Sequence, residues 1–258
     1  MGALAALVMV AGCTAERPSP SPRPDGHDDG PVATVPASSV GGVTSSPAPP
    51  ATATPPATAT PPATATPPVP LFRSAVAEIS PDLAARMATS WRPGCPVPLE
   101  DLRYVTVTHV DFEGTVQTGE LVVHADVADA VVRVFGDLFA AGYPVRLMRL
   151  VDDYGGDDTR SMEADNTSAF NCRAITGGTA WSEHAYGRAL DLNPVENPYV
   201  VGDHVAPRAG EAYVDRPDLP GVIHDDDVVV RAFAAVGWQW GGYWDRPVDY
   251  QHFSLTGR

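Results

Sequence analysis

Apolar and polar residues alternate along Leu102–Val110, LRYVTVTHV, and this period of two predicts a strand with one buried face. Residues 111–119 are rich in turn formers and Glu120–His124 is a second strand-like run, so the pattern predicts a β-hairpin. Asp126 is the predicted N-cap of a helix that ends at Gly142. The apolar positions of that helix recur at helical spacing: Val127, Val131, Val134, Phe135, Leu138 and Phe139.

The pattern after this helix predicts shorter elements separated by irregular segments. They are a strand over 144–151, a long polar surface loop over 152–172, an irregular segment over 193–221, a helix over 227–236 closed by Gly237, and closing strands at 238–240 and 252–255. Strands and helices mix without a regular βαβ rhythm. The predicted fold class is therefore α+β, a single compact domain with a mostly antiparallel sheet and flanking helices.

The first 70 residues differ in composition from the rest of the chain. They hold most of the 27 prolines, and residues 51–68 repeat ATATPP three times. Such a composition has little apolar surface to bury and predicts a disordered, semi-extended tether. The predicted organisation is a lipoprotein-type signal segment over 1–13, a Pro/Thr/Ala/Ser-rich linker over 14–70 and one folded domain over 71–258.

The signal segment is predicted from residues 2–12, GALAALVMVAG, an apolar run too short to cross a bilayer as a helix. The run ends in VAGC, which is similar to a bacterial lipoprotein box in which Cys13 becomes the lipidated residue. No lysine or arginine precedes the run, and a frayed apolar terminus is the alternative interpretation.

Cysteine usage and charge narrow the compartment and the partners. With Cys13 set aside, Cys95 and Cys172 form an even pair in an exported domain, which predicts a disulfide, with two free buried thiols as the alternative. The net charge is −15, and all 17 basic residues are arginine. No nucleic-acid partner is expected, because a phosphate-binding surface needs a positive field.

The stretch 182–193, SEHAYGRALDLN, places a histidine and an aspartate on either side of a glycine. For His184 and Asp191 to bind one zinc ion, both donor atoms must lie about 2 Å from it. One continuous helix would separate them by about 10 Å along its axis, and one continuous strand would put them on opposite faces. The chain must reverse, and we predict a hairpin centred between Gly187 and Arg188 that places His184 directly opposite Asp191.

The C-terminal run WQWGGYWDRPVDYQHF adds a third donor, His252, and a carboxylate three residues before it, Asp249. Three protein ligands and a water form the open tetrahedral site of a catalytic zinc, and a carboxylate beside that water can act as general base. A hydrogen-bonded contact between His184 and Asp191 without metal is the alternative. The other histidines are expected in structural or loop positions: His109, His124, His204 and His224.

The pattern SxHxxGxAxD at 182–191, followed by DxxH at 249–252 after a WGGxW run, closely resembles the D-alanyl-D-alanine carboxypeptidase family of zinc peptidases. The family includes vancomycin-resistance D,D-peptidases and phage L-alanyl-D-glutamate endopeptidases, and the resemblance extends over most of residues 95–256. It implies one zinc ion per chain, bound by His184, Asp191 and His252, with Asp249 as general base and acid. Some relatives have glutamate at the position of Asp249, and the aspartate is more similar to the endopeptidase branch.

The resemblance also implies an arginine, upstream of the first zinc ligand, that holds the scissile carbonyl or a substrate carboxylate. The family's usual Ser-Gly-Tyr-Arg run is absent here. The main candidate is Arg173, which follows Cys172 of the predicted disulfide. Arg160 and Arg149 rank below it, and a plain surface arginine is the alternative for Arg173.

Further candidates for substrate contacts lie beside the two motifs. Ser182 and Tyr186 are predicted to orient ligands or substrate, with structural roles as the alternative. A core position is the main expectation for Trp238, Trp240 and Trp244, and among the three Trp244 is the best candidate for a wall of the substrate cleft.

The expected function is that of a metallopeptidase hydrolysing peptidoglycan stem peptides, most of all a D-alanyl-D-alanine-type carboxypeptidase. The alternatives are an L-alanyl-D-glutamate endopeptidase of the same family, a catalytically silent cell-wall-binding module, and a disulfide-bonded extracellular domain without metal. The chain is expected to act as a monomer outside the bacterial cytoplasmic membrane, lipid-anchored at Cys13 or secreted into the wall.

Overall fold

A computed structural model describes residues 70–257, so the predicted signal segment and nearly all of the predicted linker lie outside the described residues. The helices are α1 (Pro81–Arg86), α2 (Ala128–Ala141), α3 (Asp158–Glu163) and α4 (Val228–Ala235). The strands are β1 (Ser74–Glu78), β2 (Leu102–Val110), β3 (Val116–His124), β4 (Leu147–Met148), β5 (Asn166–Thr167), β6 (Ala189–Asp191), β7 (Tyr199–Val201), β8 (His204–Ala206), β9 (Gln239–Trp240), β10 (Val248–Asp249) and β11 (His252–Ser254). Within residues 70–257, no helix is long and apolar enough to cross a membrane.

The predicted hairpin is confirmed, and β2 has the predicted bounds. β2 pairs with β3 along its whole length, and β1 pairs with β2 to give the antiparallel order β1-β2-β3. β3 begins at Val116 rather than at the predicted Glu120 because the turn closes earlier. The carboxylate of Asp111 accepts the backbone N–H groups of Glu113 and Thr115, which ends the turn before Val116.

Helix α2 packs its apolar face against β2 and forms much of the main core. Gly142 ends the helix as predicted, in a left-handed conformation with φ of 68°. The predicted N-cap Asp126 is wrong, since a 3-10 turn at Ala125–Val127 precedes the helix. The carboxylate of Asp126 instead forms an ion pair with Arg188 at 2.6 Å and a hydrogen bond with Nδ1 of His124 at 2.6 Å, so it is not available to cap α2.

Two more three-stranded antiparallel sheets have the orders β10-β7-β8 and β6-β11-β9, and β4 and β5 form a short parallel pair. The predicted strand over 144–151 is shortened to β4, and the predicted loop over 152–172 contains α3 and β5. The pair of β4 and β5 has a tertiary cause, because the buried amide of Asn166 bonds the backbone N–H and C=O of Arg149. The predicted irregular segment over 193–221 contains β7 and β8.

The C-terminal elements follow the prediction closely. Asp227 caps α4 by accepting the N–H groups of Val229 and Val230, and Gly237 follows the helix with φ of 86°. Trp240 of the edge strand β9 lies directly opposite Phe253 of the central strand β11 in the third sheet. The fold class is therefore confirmed as α+β with mostly antiparallel sheets and flanking helices.

The predicted disulfide between Cys95 and Cys172 is present. It lies beside a second core cluster in which Met87, Val97, Leu102 and Phe170 are buried. The backbone N–H of Cys172 also donates to the carbonyl of Ser90 at 2.9 Å. The bond and this hydrogen bond tie the chain before Arg173 to the segment that follows α1.

Replacing both cysteines by serine is expected to lower the free energy of unfolding by roughly 4 kcal/mol, because the bond closes a long loop of the unfolded chain, with a sequence separation of 77. Urea unfolding of the wild type and of the Cys95→Ser/Cys172→Ser variant measures the difference. Wild type unfolded in excess dithiothreitol is the matched control and should behave as the variant does. A difference below about 1 kcal/mol would contradict the chain-entropy account.

Candidate metal centre

Three side chains named from the sequence meet in the interior: His184, Asp191 and His252, all at least nine-tenths buried. The Nε2 atom of His184 lies 3.2 Å from Oδ2 of Asp191, and Nδ1 of His252 lies 3.0 Å from Oδ1 of Asp191. The two histidines are 3.3 Å apart between Nε2 and Nδ1. Within residues 70–257 this is the one group of three or more such side chains close enough to share an ion.

The route by which these residues meet differs from the predicted hairpin. His252 lies directly opposite Asp191 in the antiparallel pair of β11 and β6, whereas His184 lies on a 3-10 turn at Glu183–Tyr186. The predicted pairing of His184 opposite Asp191 across a hairpin is therefore wrong, although the two side chains do converge. The two cross-strand positions beside Asp191 are taken by His252 and Ser168, so His184 reaches Asp191 from the turn before β6.

Gly187 provides the predicted chain reversal. It has φ of 67°, the left-handed conformation that glycine adopts without strain. A Cβ atom at this position would lie 2.6 Å from the backbone nitrogen of His124, so the close approach to β3 also requires glycine. Ser182 begins the turn, and its hydroxyl accepts the N–H of His184.

The donor set fits a tetrahedral zinc ion. The Nδ1–H of His184 donates to the carbonyl oxygen of Ala169 at 2.6 Å, so Nε2 is the ring nitrogen that faces Asp191 and His252. Ligands about 2.0–2.1 Å from a tetrahedral ion are about 3.3 Å apart, and the three donor distances of 3.0–3.3 Å match this value.

The charges of the ligand set are suited to a cation. Burial opposes ionisation of Asp191, but the charge and hydrogen bond of His184, together with those of His252, hold the pKa of Asp191 well below its usual range. The group is therefore a carboxylate, which is the form that a metal ion binds.

Asp249 lies beside this centre, at the end of β10 and three residues before His252. Its Oδ1 atom is shielded from solvent and has no hydrogen-bond partner among residues 70–257. Burial, the largest influence, and next the charge of Asp191 together raise the pKa of Asp249 to about 7. Gly241 makes room for this arrangement, because a Cβ there would lie 2.6 Å from the Asp249 carbonyl and 3.2 Å from the Cβ of His252. A shielded carboxyl with a pKa near neutrality can both accept and return a proton.

Arg173 lies two residues after Asn171, whose N–H donates to the carbonyl of His184 at 3.2 Å, and its guanidinium forms an ion pair with Asp158, with 2.8 Å between Nη2 and Oδ2. The two lower-ranked candidates are exposed: Arg160 lies on α3, and Arg149 lines a groove together with Arg86. The placement therefore favours Arg173 among the three arginines named from the sequence.

The other predicted contact residues have mixed surroundings. The half-buried ring of Trp244 lies 5.3 Å from the ring of His252, a position at the edge of the centre, and Trp238 and Trp240 are buried in the core as predicted. Ser182 caps the turn of His184, and Tyr186 packs against the second core cluster. These contacts are structural, and a substrate-binding role for Ser182 or Tyr186 stays a prediction.

Sequence reasoning did not find Tyr199 or Asp158. Tyr199 lies directly opposite Asp249 in the pair of β7 and β10, and burial first, then the charge of Asp249, raises the pKa of its phenol. The irregular Pro-rich sequence around Tyr199 gave no periodic pattern, and Asp158 was one acid among many in a polar stretch.

Two buried acids, Asp165 and Glu196, were also not predicted. Nε of Arg146 lies 3.7 Å from Oδ2 of Asp165, and Asp165 accepts the N–H of Val195 at 2.9 Å. Oε2 of Glu196 is shielded and has no hydrogen-bond partner among residues 70–257. Asp165 therefore fixes the chain that follows β6, and burial together with the charge of Asp165 favours the protonated form of Glu196.

Replacing Glu196 by glutamine is expected to stabilise the protein increasingly as the pH rises from about 5 to 8. Burial and the charge of Asp165 raise the pKa of Glu196 to about 8, above the ordinary glutamate value of 4.5 that applies to the unfolded chain. The folded state thus keeps a proton that the unfolded state releases, and stability falls as the pH rises through this interval. The difference between variant and wild type should reach on the order of 2 kcal/mol at pH 8.

Urea unfolding at several pH values measures this difference, and Glu211→Gln, at an exposed position, is the matched control. A difference between Glu196→Gln and wild type that stays constant from pH 5 to 8 would contradict the raised pKa of Glu196.

The candidate metal centre lies in a segment that matches a known protein family. Residues 176–255 match a family model described as D-alanyl-D-alanine carboxypeptidase. The matched segment contains all three candidate ligands and Asp249, and it confirms the family resemblance of the two motifs. It is shorter than the predicted extent of the resemblance, residues 95–256, and Arg173 precedes it. Searches of curated proteins and of solved structures gave no match.

Proposed function

Because residues 176–255 match the D-alanyl-D-alanine carboxypeptidase family, we propose that this chain is a zinc-dependent peptidase that hydrolyses peptidoglycan stem peptides, of the D-alanyl-D-alanine carboxypeptidase type. The observation that carries the proposal is the buried group of His184, Asp191 and His252, with donor atoms at tetrahedral ligand distances and the partnerless Oδ1 of Asp249 beside it.

Each residue of the candidate site has a separate role in the proposed hydrolysis. His184, Asp191 and His252 would hold one zinc ion, which lowers the pKa of a bound water and polarises a peptide carbonyl when it is present. Asp249 accepts a proton from the attacking water and returns it to the leaving amine. Arg173 donates hydrogen bonds to the carbonyl oxygen as negative charge develops there. Trp244 covers one side of the reacting peptide and limits the access of solvent.

A second candidate is an L-alanyl-D-glutamate endopeptidase. Two observations favour it: the general base is aspartate rather than glutamate, and Asp158 already balances the charge of Arg173. A terminal substrate carboxylate gains less from an arginine that is already ion-paired, whereas a neutral peptide carbonyl still gains hydrogen bonds.

The proposed location is outside the bacterial cytoplasmic membrane, with a lipid anchor at Cys13 and the Pro/Thr-rich linker extending the peptidase domain toward the wall. Peptidoglycan peptides are the proposed partners, and the proposed state is a monomer. The disulfide between Cys95 and Cys172 supports this location, because such bonds persist in oxidising compartments.

Digestion of purified muropeptides by the zinc-loaded chain, followed by mass spectrometry, tests the proposal. Release of the terminal D-alanine is the expected result, and cleavage between L-alanine and D-glutamate would identify the second candidate instead. If every peptide bond stays intact while the chain is folded and holds zinc, the peptidase proposal is overturned in favour of a silent wall-binding module. Less than about half a zinc per chain, with none regained on soaking, would overturn the metal assignment.

A further inference from the structure

The contact that the proposed mechanism leaves unused is the ion pair of Asp158 and Arg173. Oδ2 of Asp158 lies 2.8 Å from Nη2 of Arg173, and only 23% and 25% of the two side chains are exposed. A pair shielded to this degree is stronger than an exposed surface pair. The Nε atom of Arg173 is shielded and has no partner among residues 70–257, and Nη1 makes one 3.4 Å contact with the carbonyl of Ala174. Donors of the guanidinium therefore remain for another oxygen atom.

Asp158 is held firmly from its own side. It is the first residue of α3, two residues after Gly156, whose backbone lies so close to Thr89 that a Cβ would be 2.7 Å from the Thr89 carbonyl oxygen. One carboxylate oxygen of Asp152 accepts the backbone N–H groups of Thr89 and Ser90. The start of α3 is thus attached to the segment that follows α1.

Arg173 is attached to the same segment by different bonds. It follows Cys172, which is joined to Cys95 by the disulfide and donates its N–H to the carbonyl of Ser90. The carbonyl of Arg173 accepts the N–H of Ser182, the residue that caps the turn of His184. The backbone of Arg173 is therefore fixed relative to both Asp158 and the candidate metal centre, and its side chain is the one long, flexible part.

The charges of this pair act at the centre. Burial is the largest influence on the pKa of Asp249 and the charge of Asp191 the next; among the smaller ones, Asp158 raises this pKa and Arg173 lowers it. The backbone places Arg173 close to the same centre, because the N–H of Asn171, two residues before Arg173, donates to the carbonyl of His184 at 3.2 Å.

We propose that Asp158 is a positioning residue, which holds the guanidinium of Arg173 in the orientation that donates to the carbonyl oxygen of the cleaved peptide. The inference rests on the proposed peptidase function. An arginine side chain has many rotamers, and a fixed carboxylate on a well-anchored helix selects one of them before substrate binds. Asp158 itself need not touch the substrate. Its effect should therefore appear in kcat, where the oxygen carries charge, more than in KM.

A double-mutant cycle tests this assignment on the zinc-loaded chain with a stem peptide as substrate. Arg173→Ala is expected to lower kcat by about 100-fold or more, as loss of one oxyanion donor does. Asp158→Asn is expected to lower kcat by roughly tenfold with KM changed less than about threefold. In the double variant, Asp158→Asn should add no further loss to Arg173→Ala, because a positioning residue has nothing left to position.

Asp157→Ala is the matched control for the helix. Asp157 caps α3 by accepting the N–H of Arg160 and is exposed, so its loss weakens the helix without removing the ion pair. Its kcat should equal that of wild type. Zinc content and the thermal unfolding midpoint are measured for every variant, so that lost metal or lost fold is recognised as such.

The outcomes separate this inference from the proposed function. Active wild type with Asp158→Asn at full kcat overturns the inference alone, as does a loss from Asp158→Asn that adds in full to that from Arg173→Ala. Equal losses in Asp158→Asn and Asp157→Ala also overturn it, since they indicate a purely structural role. Folded, zinc-loaded wild type without hydrolysis overturns the peptidase function itself and the inference with it.

Discussion

Replacing Asp249 by asparagine is expected to lower kcat/KM for a peptidoglycan stem peptide by roughly 10²–10⁴-fold, the contribution of a positioned general acid–base. Asparagine keeps the size of the side chain but neither accepts the proton of the attacking water nor returns it to the leaving amine. Because Oδ1 of Asp249 is shielded and has no partner among residues 70–257, few structural contacts are lost. The fold and the zinc content should therefore stay at wild-type values, and steady-state kinetics beside metal analysis measure both.

Asp245→Asn is the matched control for this variant, since Asp245 is an exposed acid on the same C-terminal run. It should retain kcat/KM within about twofold, as is usual for surface substitutions. Wild-type activity in Asp249→Asn would show that another group transfers the proton. Activity lost together with zinc would instead assign Asp249 to the ligand set.

Replacing His184 by alanine is expected to remove both zinc retention and hydrolysis. The imidazole supplies one of three protein donors, and even the loss of an outer-shell partner weakens metal binding by about 10–100-fold. Loss of a direct donor should exceed this range, so that gel filtration yields chain with little metal and no measurable turnover. Metal analysis gives the zinc per chain, and wild type stripped with a chelator and reloaded with zinc shows that the loss is reversible.

His204→Ala is the matched control, because His204 is exposed on β8 and lies outside the group of three donors. It should keep about one zinc per chain and full activity. Since His184 is buried, circular dichroism must show that the His184→Ala chain is folded. A folded variant that keeps stoichiometric zinc would remove His184 from the ligand set.

Much of the first sheet and of the longer helices could be predicted from sequence because their patterns are local. The alternation along Leu102–Val110 gave a strand with the observed bounds, and Gly142 and Asp227 mark a helix end and a helix start. In each case the chemistry that sets the boundary lies within a few residues of it. The N-cap predicted at Asp126 was wrong because its carboxylate pairs with Arg188, a residue far along the chain.

The short elements could not be predicted in the same way. β4, β5 and α3 have two to six residues, too few for a period to appear. β4 and β5 exist because partners from elsewhere complete them, as the amide of Asn166 does for the backbone of Arg149.

The sequence by itself determined the identity of the site: the two motifs name His184, Asp191, Asp249 and His252, and the glycine between the first two marks the required chain reversal. Only the tertiary structure decided how these residues meet. His252 rather than His184 lies opposite Asp191, because the register between β6 and β11 is a pairing of distant segments. The partners Asp158 and Glu196 likewise depend on contacts across the chain, which no local pattern of residues encodes.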